Sequence, residues 1–151
     1  MASFKFSLQK LLNLKEQLED NIKNELGLAV QALEAEKEKL ASIDAGISHL
    51  MEEFRKACSG SIRPEKIKEI KAFLEVQHKA RARQTAVVKK KQENVDKIRE
   101  KLVNAMKERK VLENLREKEL ERFRGQEVKD EQKLTDELVS YRESVKDDNS
   151  S

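Results

Sequence analysis

From Leu8 onward, apolar residues recur at steps of three and four, and they do so for about six heptads. The series opens on Leu8, Leu11, Leu18 and Ile22, with Lys15 in one seam position. It continues through Leu26, Ala29, Leu33, Leu40, Ile43, Ile47, Leu50 and Phe54, with Glu36 in another. The step from Ile22 to Leu26 breaks strict alternation and reads as a stutter. A chain with this period has to place a narrow apolar stripe against another helix. Composition excludes a thicker core: charged residues make up 40% of the chain, hydrophobic ones 37% and aromatics 4%. With four glycines and one proline, long helices are the expected elements.

The first pattern stops at Cys58-Ser59-Gly60-Ser61. Gly60 supplies the left-handed conformation that ends a helix. Ser61 is available to cap the next helix, and Pro64 falls in its first turn, where a missing N–H costs little. Ser7 is the expected cap of the first helix. A second seam runs Ile67, Ile70, Leu74, Gln77, Arg81, Gln84, Val88, Lys91, Val95, Ile98, Leu102, Ala105, Arg109, Leu112. It is apolar at both ends and polar in the middle. A short connection makes the two helices antiparallel neighbours. The expected fold is therefore all-α: a long two-helix antiparallel coiled-coil hairpin with a longer second helix. Its segments are an N-terminal stretch 1–6, a first helix 7–57, a turn 58–63, a second helix 64–124, and a C-terminal helical extension with a frayed tail, 125–151, set off by a bend at Gly125. Pairing about the turn puts Leu8 opposite Leu112. On that register Leu115, Leu120 and Phe123 lack a first-helix partner, as do Phe4 and Phe6.

Charge is distributed unevenly. Residues 1–58 carry eight basic and ten acidic side chains, 63–110 carry sixteen and seven, and 125–151 carry four and eight. Between 76 and 92 there is no acid, and Lys79, Arg81, Arg83, Lys89, Lys90 and Lys91 stand together. Half the weight falls on a merely solvated face. The other half falls on a basic partner surface, for which an acidic protein fits better than nucleic acid, since no aromatic residues interleave for base stacking. The polar seam centre reads first as a device that specifies register, and second as a point of local splaying.

Nothing assembles into a catalytic site. His49 and His78 have no neighbours at metal-ligand spacing. Carboxylate pairs such as Glu34 and Glu38 suit a solvated helix face. Cys58 is alone, which fits a reducing compartment. The expectations are no enzymatic activity, no cofactor, no metal and no small-molecule substrate. No apolar run reaches the roughly 20 residues of a membrane span, and the start lacks a signal peptide's apolar stretch. A cytoplasmic location is expected.

Three stretches together resemble the FliJ family of flagellar export proteins. They are the opening FKFSLQKLLNLKE at 4–16, KERKVLENL at 107–115 and EQKLTDE at 131–137. The resemblance implies a non-enzymatic coiled coil, similar to the central stalk of rotary ATPases. It also implies a role in bacterial flagellum biogenesis, type III secretion and motility. The implied partners are the flagellar export ATPase FliI, its regulator FliH, the export-gate protein FlhA and empty substrate chaperones. The implied place is the cytoplasm, peripherally associated with the inner-membrane export apparatus. By resemblance, the end bearing both termini meets the ATPase ring: Phe4, Phe6, Leu8, Leu11, Leu12, Leu112, Leu115, Leu120 and Phe123. A surface toward the turn meets the gate protein: Ile43, Ile47, Leu50 and Phe54 on the first helix, Phe73, Gln77, Ala80 and Gln84 on the second. The heptads place the first four of these in the seam, so the two expectations compete for them. The competing functions are a generic structural stalk or tether and, below it, a nucleic-acid-associated helical protein.

Overall fold

The structure is a computed structural model and describes residues 3–149. Two helices make up the fold: α1, Gln9–Cys58, and α2, Pro64–Asn149. They are antiparallel and form the expected hairpin, with the second helix the longer at 86 residues against 50. Leu, Lys, Glu, Gln, Arg and Ala dominate both helices, and these lose the least freedom on becoming helical. Ion pairs one turn apart, such as Glu19 with Lys23 and Arg109 with Glu113, add a few tenths of a kcal/mol each.

The turn works as the residues suggest. Gly60 has φ +106°, a conformation costly for any residue with a Cβ. The Ser59 amide and hydroxyl both donate to the Lys56 carbonyl, at 3.2 and 3.0 Å, and satisfy one of the last orphan acceptors of α1. Arg55 and Lys56 lie in the last turn, where the helix dipole favours cations. Pro64 is the first residue of α2, and the Ile67 amide donates to the Arg63 carbonyl. Arg63 therefore holds the cap position by its backbone, and Ser61 stands too far upstream to cap. At the other end α1 begins at Gln9, with the Leu12 amide donating to the Leu8 carbonyl at 2.9 Å. Ser7 sits two residues before the first helical residue, in a tight turn closed by the Gln9 amide on the Phe6 carbonyl.

The chain divides into two compact units. One comprises 1–18 with 105–151, and the other 19–104. In the second unit the helices pair through a seam whose apolar residues include Ile22, Leu33, Ile47, Ile70, Val95 and Ile98, with Val95 fully buried. Cross-helix polar contacts fix its register. Lys101 meets Glu25 at 3.4 Å, Arg81 bridges to Asp44, and the Gln84 amide donates to both the carbonyl and the carboxylate of Glu36. In the terminal unit, Phe6, Leu12 and Leu112 form a core with Phe4 and Leu8 packed against it. Lys15 meets Glu108 at 2.8 Å, and the Arg116 guanidinium donates to Gln9 at 3.1 Å.

Three expectations are corrected here. The first is the α1 seam. Leu12 and Glu19 are buried, at 3% and 4% exposure, whereas Leu11 and Leu18 face water at 39% and 43%. The seam therefore runs Leu8, Leu12, Lys15, Glu19, Ile22, Leu26 in alternating steps of four and three, without a stutter. Apolarity alone favoured Leu18 over Glu19, and it chose the wrong face. The second is the unpaired end. Phe4 packs on Phe123 with ring centroids 5.6 Å apart, and Leu120 is half-buried. Residues 3–8 are not helical, so a register counted in helical rises does not apply to them, and Phe4 reaches past Leu112 to Phe123. The third is Gly125. α2 runs through it to Asn149 without interruption. One glycine costs a helix about 1 kcal/mol, and Arg122, Arg124, Gln126, Glu127 and Lys129 around it are strong helix formers.

Candidate partner-binding surfaces

The residues expected at the open end fall into two groups. Phe6, Leu12 and Leu112 are core, with Phe4, Leu8, Leu120 and Phe123 half-buried around it. The Arg116 guanidinium carbon lies 5.7 Å from the centroid of the Phe4 ring, a cation–π arrangement that closes the top of this cluster. These side chains hold the terminal unit together. Leu11 and Leu115, at 39% and 38% exposure, remain open to a partner. Leu14 and Val111, which the heptad reading passed over, are more exposed still, at 56% and 66%. Leu11, Leu14 and Leu18 share one face of α1, at i, i+3 and i+7, turned away from the seam. The signal was present as a second leucine phase in LLNLKEQL, and it was absorbed into the seam assignment.

The eight positions near the turn also divide. Ile47 is buried in the seam. Ile43, Leu50, Phe54, Gln77, Ala80 and Gln84 are half-buried, and Phe73 is 53% exposed. Gln84 spends its amide on Glu36. Its hydrogen bond is the main reason the Glu36 carboxyl is held below its ordinary value; Lys39 and Lys91 act in the same direction, and desolvation opposes them. Leu50, Phe73 and Gln77 come together along an open groove floored by Ile70 and edged by Glu53, Lys66 and Glu69. The Lys71 ammonium stands 6.0 Å from the Phe54 ring centroid. Groove and ring make a small amphipathic surface that three or four of the eight residues are free to serve.

In the basic stretch, Arg81 is bound to Asp44 across the seam, and Lys79 is 3.6 Å from Glu75 on its own helix. Lys89, Lys90, Lys91 and Arg83 are exposed, and their heads have no carboxylate within ion-pair distance among the described residues. Beyond Phe123 every described residue is exposed. Among the described residues, no group of three or more His, Cys, Asp or Glu side chains is placed to hold a metal ion, and no helix is long and apolar enough to cross a membrane. Cys58 is a free, exposed thiol.

The fold is that of a two-helix coiled coil that presents exposed leucines and charged side chains to its surroundings. A family model, "Flagellar FliJ protein", matches residues 4–146. The chain belongs to the flagellar FliJ family, whose members are non-enzymatic components of flagellar export. No curated protein and no solved structure matches the chain.

Proposed function

We propose that this chain couples the flagellar export ATPase to the rest of the type III export apparatus. In this reading the terminal unit engages the FliI ring and its regulator FliH. The groove near the turn meets the export-gate protein FlhA, and the helical surfaces receive empty substrate chaperones. The chain then works in the cytoplasm, peripherally associated with the inner-membrane apparatus. The observation that carries this reading is the outward leucine face of the terminal unit, Leu11, Leu14 and Leu18. It stands over a core that is complete without it. A stripe of leucines that contributes nothing to its own fold, at the end the family uses for the ring, suits a binding face. Covering such side chains yields roughly 1.5–3 kcal/mol each when fully desolvated.

The test is the paired variant Leu11→Glu, Leu14→Glu in the full chain, read out as binding to the ATPase and stimulation of its hydrolysis. Binding should weaken by at least about tenfold, or 1.4 kcal/mol, with helicity unchanged. Wild-type binding and stimulation would move the contact elsewhere, first to the exposed cations of 79–91. The gate contact is tested separately by Phe73→Ala, which should weaken binding to the isolated cytoplasmic part of the gate and leave ATPase stimulation intact.

A further inference from the structure

Two stripes on α2 keep large apolar residues exposed beside the hairpin, and their spacings match. The first lies on the acidic tail. Leu134, Leu138, Tyr141 and Val145 follow one another at steps of four, three and four, and are 60%, 56%, 68% and 39% exposed. A helix that puts its large apolar residues on one face is amphipathic by design, and in water alone that face is unsatisfied. Residues 125–149 carry eight acidic and four basic side chains, net −4. The second stripe lies on the acid-free stretch, flanking the seam one residue before each of Gln77, Arg81, Gln84 and Val88, with Ala80 half-buried beside the seam. Val76, Ala80, Arg83 and Val87 repeat the same four-three-four spacing, with Val76 59% and Val87 36% exposed. Residues 76–92 carry six cationic side chains and no acid, net +6.

We infer that the acidic tail of one copy of this chain packs antiparallel on the acid-free stretch of a second copy. Antiparallel pairing sets Val145 against Val76, Tyr141 against Ala80, Leu138 against Arg83 and Leu134 against Val87, so that all four tail residues meet the facing stripe in one register. The next position outward sets Glu131 against Lys90. Large and small alternate where packing demands it, with the Tyr141 ring over Ala80. The Arg83 stem covers Leu138 while its head reaches the tail's carboxylates. Charge decides between this and the other self-pairing available. Two tails laid antiparallel on each other also align Leu134 with Val145, but they set Glu131 against Asp148, Asp136 against Glu143 and Lys133 against Lys146, three repulsions against the one attraction of Glu137 with Arg142. Tail on basic stretch sets Asp130 against Lys91 and Glu131 against Lys90, two attractions against the single repulsion of Arg142 with Lys79, while Arg81 and Lys79 are already engaged by Asp44 and Glu75. The contact also covers Ala80, so a chain held in this pair has part of its proposed gate-binding surface occupied.

The experiment is sedimentation equilibrium on the full-length protein across a wide concentration range, at low salt and at about 1 M salt, where the screening length falls to about 3 Å. The mass should rise toward twice that of the monomer with concentration, and less so in high salt. Leu138→Asn with Tyr141→Ser should weaken the dimer by at least about tenfold. Lys90→Glu and Glu131→Lys should each weaken it, and the two together should restore it. All three positions tested in the tail are exposed, so circular dichroism of each variant should match the wild type. A monomer at every concentration would overturn the inference. So would a dimer indifferent to Leu138 and Tyr141, or a charge pair whose combination fails to recover what each single change loses; those outcomes would point to a different partner for the tail.

Discussion

Glu19 and Phe6 show what single residues do in this chain. Glu19 is 4% exposed at a seam position between Lys15 and Ile22. Glu19 pairs with Lys23 at 3.5 Å. Removing one member of a pair that includes a buried carboxylate leaves the other uncompensated, so Glu19→Leu should lower stability, as chemical denaturation would show. Phe6 is 7% exposed and touches the centre of the terminal core. Phe6→Ala should cost about 3 kcal/mol, seen as faster hydrogen exchange in 9–18 and 105–123. Glu36 gives a pH dependence. Its carboxyl is held below its ordinary value first by the Gln84 hydrogen bond. A depressed acid contributes stability that is complete above the ordinary carboxylate range and lost as pH falls through the lowered value. Gln84→Ala should thus flatten the acid limb of a stability–pH curve, while the neutral-pH value drops by about 1 kcal/mol for the lost part-buried hydrogen bonds.

At the scale of elements, the hairpin was legible because heptads, a glycine stop and a proline start are local signals. Gly60→Ala should destabilise the turn by about 1 kcal/mol, since φ +106° excludes a Cβ at no cost. Gly125→Ala should do the opposite, strengthening α2 by about 1 kcal/mol of helix propensity, because a Cβ there meets nothing. Thermal melts followed by circular dichroism distinguish the two signs. Less legible was the phase at each end of the seam. Leu11 and Leu12 are equal in hydropathy, and only the position of Glu19 on the same face separates them. A carboxylate inside a seam is invisible to any rule that ranks apolar residues first. The reach of 4–8 was missed for a different reason: a register counted in helical rises does not hold for residues outside the helix. Gate positions sorted themselves only in three dimensions, since Gln84 and Ile47 are engaged within the hairpin while Phe73 is not.

Across the whole molecule, exposure predicts where the chain opens first. In dilute solution the amides of 124–149, all on exposed residues, should exchange orders of magnitude faster than those around Val95 and Ile98, which lie deepest in the seam. Exchange read by mass spectrometry tests this. Equal protection in tail and seam would mean the tail is covered in the free protein. The ring contact between Phe4 and Phe123 bears on how the chain is made. During synthesis the N-terminal residues leave the ribosome first, and their partner leaves last but for the tail. Every apolar residue from Phe6 through the end of α1 is therefore in the open until the second helix emerges, and at about 5–20 residues per second that interval lasts several seconds. A nascent first helix is in this sense a transient client of whatever holds unpaired helices in the cell, and the charged residues that make up so much of α1 are what keep it dispersed while it waits.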